Sequence, residues 1–163
     1  MKKLHTLDQL RQILQVKRLE GKRIVLANGG FDLFHVGHIR YLKAAKKEGD
    51  ILLVALNSDA SVRKLKGPGR PILAEEERLE IISSFYFVDY VIVFNEDTVN
   101  NILRTLKPDV HAKGSDYSKE TVPERSTVLG YGGEIAITGG PKVRSTSDFF
   151  RLLANKIGNS THS

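Results

Sequence analysis

The chain has 163 residues, of which 40% are hydrophobic and 27% are charged, and it contains no cysteine. This length and composition are typical of one globular domain, and the lack of cysteine excludes disulfide bonds and cysteine-bound metals. The net charge of +6 is spread along the chain rather than gathered in a basic stripe with aromatics, so we expect a pocket for an acidic ligand such as a polyphosphate and no nucleic-acid partner.

The first predicted element is a helix over residues 6–20, in which Thr6 and Gln9 form a capping-box pattern and Gly21 marks the end. After it, short apolar runs typical of buried strands alternate with helical patterns. In chain order these are a strand at 23–28, a helix at 38–49, a strand at 51–57, a helix at 74–85, a strand at 90–94, a helix at 97–107, a strand at 109–113, a short helix within 122–133, a strand at 134–138 and a helix at 145–158. The last residues, 158–163, are expected to fray.

This alternation of strands and helices predicts an α/β fold, namely a Rossmann-like five-stranded parallel sheet with helices on both faces. Residues 1–163 are predicted to form a single domain with its core at about 22–155, because the sequence contains no linker and no internal repeat. It also contains neither an apolar run long enough to span a membrane nor the apolar stretch of a signal peptide. We therefore expect no membrane partner and a cytoplasmic location.

Four loops carry most of the residues suited to ligand binding. They are rich in Gly, Lys, Arg, Ser or Thr and occupy residues 28–38, 64–71, 112–117 and 139–148. Each follows a predicted strand, and in parallel sheets ligands bind beyond the carboxyl ends of the strands. The sequence therefore predicts one site at that edge of the sheet.

The loop "NGGFDLFHVGH" at residues 28–38 joins a turn at Gly29 and Gly30 to His35 and His38 at the start of a helix. Backbone N–H groups at a helix N-terminus favour an anion, and imidazoles add hydrogen-bond donors or, when doubly protonated, positive charge. The pair suits a phosphate clamp, and it equally suits a packed core histidine beside an ordinary helix-end histidine. A third zinc ligand and the GxGxxG pattern of dinucleotide-binding folds do not accompany it.

The segment "GGFDLFHVGH" resembles the HxGH signature of the nucleotidyltransferase superfamily, and "RSTSD" at 144–148 resembles its second signature, built around an S-T-T/S core. The stretches "NSDASVRKLKGPGRPILAEEER", "LKPDVHAKGSDY" and "YGGEIAI" are similar to the adenylyltransferase domain that makes ADP-heptose from heptose 1-phosphate. The resemblance covers about residues 22–155. We expect this domain to stand here without the sugar-kinase domain that is often fused to it.

The resemblance implies transfer of AMP from ATP to heptose 1-phosphate, giving ADP-heptose and pyrophosphate for lipopolysaccharide core synthesis, with Mg²⁺ as the cofactor and a homodimer as one option. By position it implies catalytic roles for His35, His38 and Lys66, and it leaves metal ligands unknown. It implies nucleotide contacts for Gly29, Gly30, Phe31, Arg70, Arg78, Lys113, Gly114, Asp116, Tyr117, Ser145, Thr146 and Ser147. The chain departs from the family pattern at Arg144, where Tyr or Ile is frequent, and at Ser115, where the pattern has Gly.

The residue types agree with this reaction on chemical grounds. A phosphate monoester is mostly dianionic at neutral pH, so its oxygen can attack phosphorus without a general base, and the protein has to align two anions and disperse the charge of the leaving pyrophosphate. Two alternatives stay open: a cytidylyltransferase acting on glycerol 3-phosphate or a similar alcohol phosphate, and an inactive nucleotide-binding module. Lys66 and Arg70 are also explained as solvated loop charges, and Asp32 and Asp116 as residues that stabilise their own loops.

Overall fold

The computed structural model describes residues 2–142 and 144–160, and strands alternate with helices along them. Helix α1 begins at the predicted capping box, since the Thr6 hydroxyl accepts a bond from Gln9 N and the Gln9 side chain accepts one from Thr6 N. The elements are α1 (Leu7–Leu19), β1 (Ile24–Gly29), α2 (Val36–Lys46), β2 (Ile51–Asn57), α3 (Asp59–Lys66), α4 (Glu75–Ser84), β3 (Tyr90–Phe94), α5 (Asn100–Leu106), β4 (Val110–Lys113), α6 (Arg125–Gly130), β5 (Glu134–Ile137) and α7 (Thr146–Ser160).

The five strands in this part of the chain form one parallel sheet in the order β3-β2-β1-β4-β5. Strand β1 is central: Ile24 lies opposite Ile51 of β2, and Val25 lies opposite Val110 of β4. The strand order therefore reverses between β1 and β4, and a crevice opens beyond their carboxyl ends. The predicted α/β fold with a five-stranded parallel sheet is confirmed.

Side chains of β1 alternate between two hydrophobic cores, as the period of a strand requires. Ile24 and Leu26 join the core that also contains buried residues of α1, α5 and α6, whereas Val25 and Ala27 join the core with α2 and α4. Helices thus cover both faces of the sheet. Burying a side chain such as Leu26 contributes about 1.5–3 kcal/mol, so the strand ends that carry the loops are firmly held.

Helix α3 is absent from the sequence-based prediction, which treats residues 64–71 as a loop. Residues 64–66 instead form the last turn of α3, so that expectation is wrong for them. The helix begins because the Ser58 hydroxyl accepts a bond from Ser61 N, and it ends at Gly67, whose φ is 98°. Its apolar pattern is too short to detect, since Ser61 and Val62 are its buried residues.

Helix α7 extends from Thr146 to Ser160, two residues beyond the predicted end, and none of its residues is buried. Residues 161–163 of the expected frayed end lie outside the described residues, and fraying stays a prediction, as does the single domain over 1–163. In the part of the chain that the structure describes, no helix has both the length and the apolar character needed to cross a membrane.

Candidate functional site

A cavity of about 630 Å³ opens beyond the carboxyl ends of β1 and β4, where the strand order reverses. This volume lies in the range of small-molecule sites. The cavity brings together every predicted site residue except Arg78, drawn from all four of the predicted loops. These residues are Gly29, Gly30, Phe31, His35, His38, Lys66, Arg70, Lys113, Gly114, Asp116, Tyr117, Ser145, Thr146 and Ser147.

The two motif histidines are fixed at the start of α2 by backbone N–H groups. His35 is the N-cap residue, and its Nδ1 accepts a bond from Gly37 N at 3.1 Å. His38 Nδ1 accepts a bond from His35 N at 3.2 Å, and the two rings stack with centroids 3.9 Å apart. Because each Nδ1 is an acceptor, a neutral ring carries its proton on Nε2. Both Nε2–H groups are therefore the donors that remain for a ligand.

The electrostatics of the pair favour neutral rings. Burial, together with the neighbouring His35, lowers the pKa of His38 to about 3, although Asp32 acts in the opposite direction. Burial also lowers the pKa of His35, and Asp148 partly opposes it. Both rings are neutral at pH 7, so they act as hydrogen-bond donors and not as the positive charges that the sequence left open.

Two further residues of the loop shape the space around the histidines. A Cβ at Gly37 would lie 2.9 Å from His35 Cε1, so a glycine is needed for the ring to keep its place. Phe31 has a positive φ of 52°, and its ring is buried against His38 at a centroid distance of 5.3 Å. Phe31 therefore presents its backbone to the cavity while its side chain belongs to the core.

Asp32 stabilises the loop that forms one wall of the cavity. Its carboxylate accepts bonds from Ile72 N (2.8 Å), Leu73 N (3.0 Å) and Arg70 Nε (3.1 Å). Burial by itself would raise the pKa of Asp32, but these two backbone N–H groups and Arg70 outweigh it and lower the pKa below its usual value. Its backbone oxygen accepts a bond from Thr146 Oγ1 at 3.0 Å. Asp32 therefore connects three of the predicted loops through hydrogen bonds. The sequence alone left this role of Asp32 open.

Lys66 and Arg70 differ in how freely they can approach a ligand. Lys66 is exposed at the end of α3 and lines the cavity. The Arg70 side chain is 17% exposed, pairs with Asp32 and lies over the Phe150 ring at 5.0 Å. Lys66 is thus the exposed charge of this wall, while Arg70 is held beside the cavity by Asp32 and Phe150.

The opposite wall comes from the loop after β4. Lys113 is 8% exposed, and its Nζ lies 3.7 Å from Glu124 Oε2 and 4.7 Å from the Tyr117 ring centroid. Burial lowers the pKa of Lys113, and Glu124 opposes this shift. Asp116 forms an exposed ion pair with Lys142 at 3.1 Å. This pair joins the loop after β4 to the loop after β5.

The second signature lies at the start of α7, and its residues 145–147 line the cavity. The Ser145 hydroxyl accepts a bond from Asp148 N at 3.3 Å, and the Asp148 carboxylate accepts one from Ser145 N at 2.6 Å, so Ser145 caps the helix. Thr146 is tied to the first loop, and Ser147 is exposed beside the cavity. Arg144 is exposed, lines the cavity and lies 5.8 Å from the Phe149 ring centroid. The cavity therefore receives a second helix N-terminus beside that of α2, since the His35 and Phe149 rings lie 5.6 Å apart.

Arg78 differs from the other predicted site residues in its position. It is fully buried, lies outside the cavity lining and uses its guanidinium within the protein. It donates to the carbonyl oxygens of Gly30 (2.8 Å), Asn57 (2.7 Å) and Leu73 (3.0 Å), and it pairs with Asp59 at 2.7 Å. A buried guanidinium needs such partners. Arg78 therefore supports the ends of β1 and β2, and its predicted nucleotide contact stays a prediction.

Two residues missed from the sequence contribute to the floor of the cavity. Asn28 is the next-to-last residue of β1 and lines the cavity, and its Oδ1 lies 2.8 Å from His111 Nε2. The Tyr41 hydroxyl donates to Ala112 O at 2.7 Å and accepts from Asn28 N at 3.3 Å. Burial raises the pKa of Tyr41, so the hydroxyl keeps its proton. Asn28 is signalled by its place before the Gly-Gly turn, but Tyr41 and His111 give no sequence signal because these contacts depend on strand pairing.

The described residues contain no group of three or more His, Cys, Asp or Glu side chains that could hold a metal ion. The carboxylate oxygens of Asp32 are already taken up by donors of the protein. The residues present do not form a protein-built Mg²⁺ site. A divalent cation at this cavity would need phosphate oxygens and water as most of its ligands.

Comparisons with known proteins show the family of the chain. A Bifunctional protein HldE of Syntrophotalea carbinolica is 44% identical over 94% of this chain and 31% of its own length, and one of Geobacter sulfurreducens is 43% identical over 96% of this chain and 32% of its own. The chain thus spans about a third of the length of these relatives. A crystal structure of the lipopolysaccharide core biosynthesis protein from Thermoplasma volcanium is 32% identical, with a TM-score of 0.63, and the match covers 74% of this chain and all of that one. The family model described as cytidylyltransferase-like matches residues 26–138. Because that match covers more than half of the chain, the nucleotidyltransferase resemblance is confirmed, and the chain belongs to the cytidylyltransferase-like family.

Proposed function

We propose that the chain transfers AMP from ATP to a sugar 1-phosphate, specifically heptose 1-phosphate, and releases pyrophosphate. The product is an ADP-sugar for lipopolysaccharide core synthesis. The observation that carries the proposal is the neutral, stacked pair of His35 and His38 at the start of α2, with Nε2–H as the free donor of each ring. This pair faces a cavity that also receives Lys66 and the N-terminus of α7.

Each group has a role in this reaction that follows from its chemistry. The sugar phosphate oxygen attacks the α-phosphorus, and the bond from that phosphorus to the pyrophosphate oxygen breaks. The Nε2–H groups of His35 and His38 donate to phosphate oxygens on which charge grows, without any proton transfer being needed. Lys66 adds positive charge from a flexible side chain, and the helix N-terminus at Ser145 and Thr146 favours a further anionic group.

We propose that Mg²⁺ enters with ATP as part of the substrate. Magnesium commonly retains several waters and binds through substrate phosphates, which fits a cavity without a cluster of metal ligands among the described residues. When bound, the ion would neutralise charge on the leaving pyrophosphate. The chain's own contribution is to position the two substrates with the donors described above.

The choice of substrates rests on similarity over several loops. The resemblance to the ADP-heptose-forming domain includes residues 64–71 and 112–117, and both segments lie at the cavity. The Thermoplasma volcanium relative is a lipopolysaccharide core biosynthesis protein, which agrees with a sugar acceptor. The histidine motif alone does not select a base, since related transferases share it.

The test is a matrix of donors and acceptors, scored by pyrophosphate release and by product mass. ATP and CTP are each offered with heptose 1-phosphate and with glycerol 3-phosphate, and we expect the first pair to have the highest kcat/KM. The control is His38→Asn, which retains an acceptor for His35 N and loses the Nε2 donor. A faster reaction of CTP with glycerol 3-phosphate would contradict the substrates. Binding of ATP without product from any pair would instead indicate an inactive binding module.

A homodimer is part of the same proposal. Of the aromatic residues 85–87, Phe87 is buried in the core, whereas Tyr86 is 87% exposed and available for a contact between copies. Sedimentation equilibrium of the wild type and of Tyr86→Ser measures this directly. A monomer at all concentrations of the wild type would contradict it.

A further inference from the structure

A hydrogen-bonded pair of one half-buried and one fully buried residue joins β1 and β4 at the cavity. His111 is fully buried, and its Nε2 lies 2.8 Å from Oδ1 of Asn28, which lines the cavity. The other ring nitrogen, His111 Nδ1, is buried and has no hydrogen-bond partner in the described residues. The unpartnered Nδ1 determines which tautomer His111 adopts and which way the Asn28 amide is turned.

Of the two neutral tautomers of His111, the one with its proton on Nε2 has the lower free energy. With that tautomer, His111 Nε2–H donates to Asn28 Oδ1, and the unpartnered Nδ1 is a bare acceptor. The reverse orientation of the Asn28 amide would require Nε2 to accept and would leave an N–H on buried Nδ1 without an acceptor. Orphaned buried N–H groups are rare because they lose their full hydration. The amide of Asn28 is therefore held with its oxygen towards His111.

The ring of His111 is neutral near pH 7. Burial lowers the pKa of His111 to about 3, and the nearby charge of Lys113 acts in the same direction. The pair is thus joined by a hydrogen bond between two neutral groups, with the imidazole ring on its buried side. It is not disturbed by proton uptake near pH 7.

The same orientation leaves the amide nitrogen of Asn28 unused by the protein. Among the described residues, no group accepts a bond from Asn28 Nδ2. The residue sits directly before the Gly29–Gly30 turn and borders the cavity. We propose that Asn28 Nδ2 donates a hydrogen bond to an oxygen of the bound substrate, and that His111 is a positioning residue that holds the amide in this orientation. The inference rests on the proposed function, and it assigns a recognition contact that the motifs do not contain.

The nucleotide and the sugar phosphate both carry oxygen atoms that accept hydrogen bonds, so either substrate is a suitable partner for Asn28 Nδ2. Binding of Mg²⁺ with α,β-methylene-ATP and binding of heptose 1-phosphate, measured separately by calorimetry, distinguish the two sources. We expect Asn28→Ala and His111→Leu each to weaken one of the two ligands by about tenfold. His111→Gln should retain most of the affinity, because a glutamine amide nitrogen can take the place of the imidazole Nε2.

The double variant separates positioning from a structural effect. If His111 acts through Asn28, Asn28→Ala combined with His111→Leu should bind no more weakly than Asn28→Ala alone. Thermal unfolding of each variant records the structural loss, which should not follow the change in affinity. Labelled asparagine side-chain resonances should show the Asn28 amide shifting on ligand addition in the wild type and in His111→Gln.

Several results would overturn the inference. The positioning role would be contradicted if the losses of ligand affinity in the two single variants multiply in the double variant. It would also be contradicted if His111→Leu binds both ligands as tightly as the wild type. An Asn28 amide that stays unshifted while Gly29 and Gly30 backbone resonances move would remove the contact yet leave the proposed function standing. A wild-type chain that binds neither ligand would overturn the proposed function and this inference together.

Discussion

His38 holds His35 in place through the backbone, since His38 Nδ1 accepts a hydrogen bond from His35 N at 3.2 Å. The two rings also stack at 3.9 Å, a distance at which two imidazolium ions would repel each other. Their lowered pKa values remove that repulsion. The two histidines, three residues apart, therefore form one rigid unit. Their Nδ1 atoms cap α2, and their Nε2–H groups are donors for a ligand.

The first prediction separates these tasks at His35. His35→Asn should fold as well as the wild type, because asparagine is a good N-cap, but should lower kcat about 10²-fold through loss of the Nε2 donor. His35→Ala should lose the same rate and in addition about 1 kcal/mol of unfolding free energy. Pyrophosphate release and urea unfolding measure the two effects. Wild-type turnover in His35→Asn would contradict the donor role.

The second prediction concerns stability in mild acid. The pKa of His111 is about 3 in the folded chain and near 6.5 in the unfolded chain. Between these two pH values the unfolded chain therefore binds a proton at His111 that the native chain does not bind. The unfolding free energy therefore falls as the pH falls, by about 1.4 kcal/mol per pH unit for this group. His111→Gln should show a shallower decline than the wild type between pH 6 and pH 4.5 in urea titrations. Equal slopes would contradict a neutral, buried ring.

The third prediction concerns the wall that carries Lys66. Asp32 holds this loop at residues 70–73, and the Ser58 cap with buried Val62 holds α3, so motion should be confined to the few residues between them. Trypsin cleavage after Lys66 should slow when ATP and Mg²⁺ are added. Cleavage after exposed Lys22, remote from the cavity, is the internal control. Identical rates after Lys66 with and without ligand would count against closure on the nucleotide.

The fourth prediction follows from the burial of Arg78. Arg78→Ala should lower the unfolding free energy by about 3 kcal/mol or more, because it leaves three carbonyl groups and Asp59 without their donor. Exposed Arg63→Ala on α3 is the matched control and should change it by less than about 0.5 kcal/mol. ATP affinity per folded molecule should change little. A large loss of affinity at unchanged stability would support a direct ligand contact.

The fifth prediction tests the crowding at Gly37. A Cβ there would meet His35 Cε1 at 2.9 Å and Nδ1 at 3.0 Å, so Gly37→Ala should displace the ring and lower kcat more than it lowers stability. Gly130→Ala on α6 is the control, because nothing lies within 4 Å of its Cβ. Stopped-time pyrophosphate assays and thermal unfolding compare the two. Full activity of Gly37→Ala would show that the ring tolerates movement.

The features that the sequence predicts well are those that depend on local pattern. The strands at 51–57 and 90–94 have the predicted bounds because continuous apolar runs mark interior parallel strands. The histidine motif lies at a helix start, as Gly37 and the spacing indicate.

The features it misses depend on strand order or on burial. The bond between Asn28 and His111 needs β1 and β4 to be neighbours, although β2 and β3 come between them in the chain. Arg78 matches a family position, but its pattern on an acidic helix gives no sign of complete burial. The last turn of α3 is hidden because lysines and a following glycine are typical of loops.

The pairing of β1 with β4 also has a consequence for the order of events during folding. The residues that line the cavity are spread along the chain from Asn28 to Ser147, so no local fragment of the chain contains the site. Contacts between distant segments form late, since loop-closure entropy must be overcome before they stabilise the chain. Recovery of ligand binding during refolding should therefore report that the two halves of the sheet have joined, and it should lag behind the appearance of helical signal.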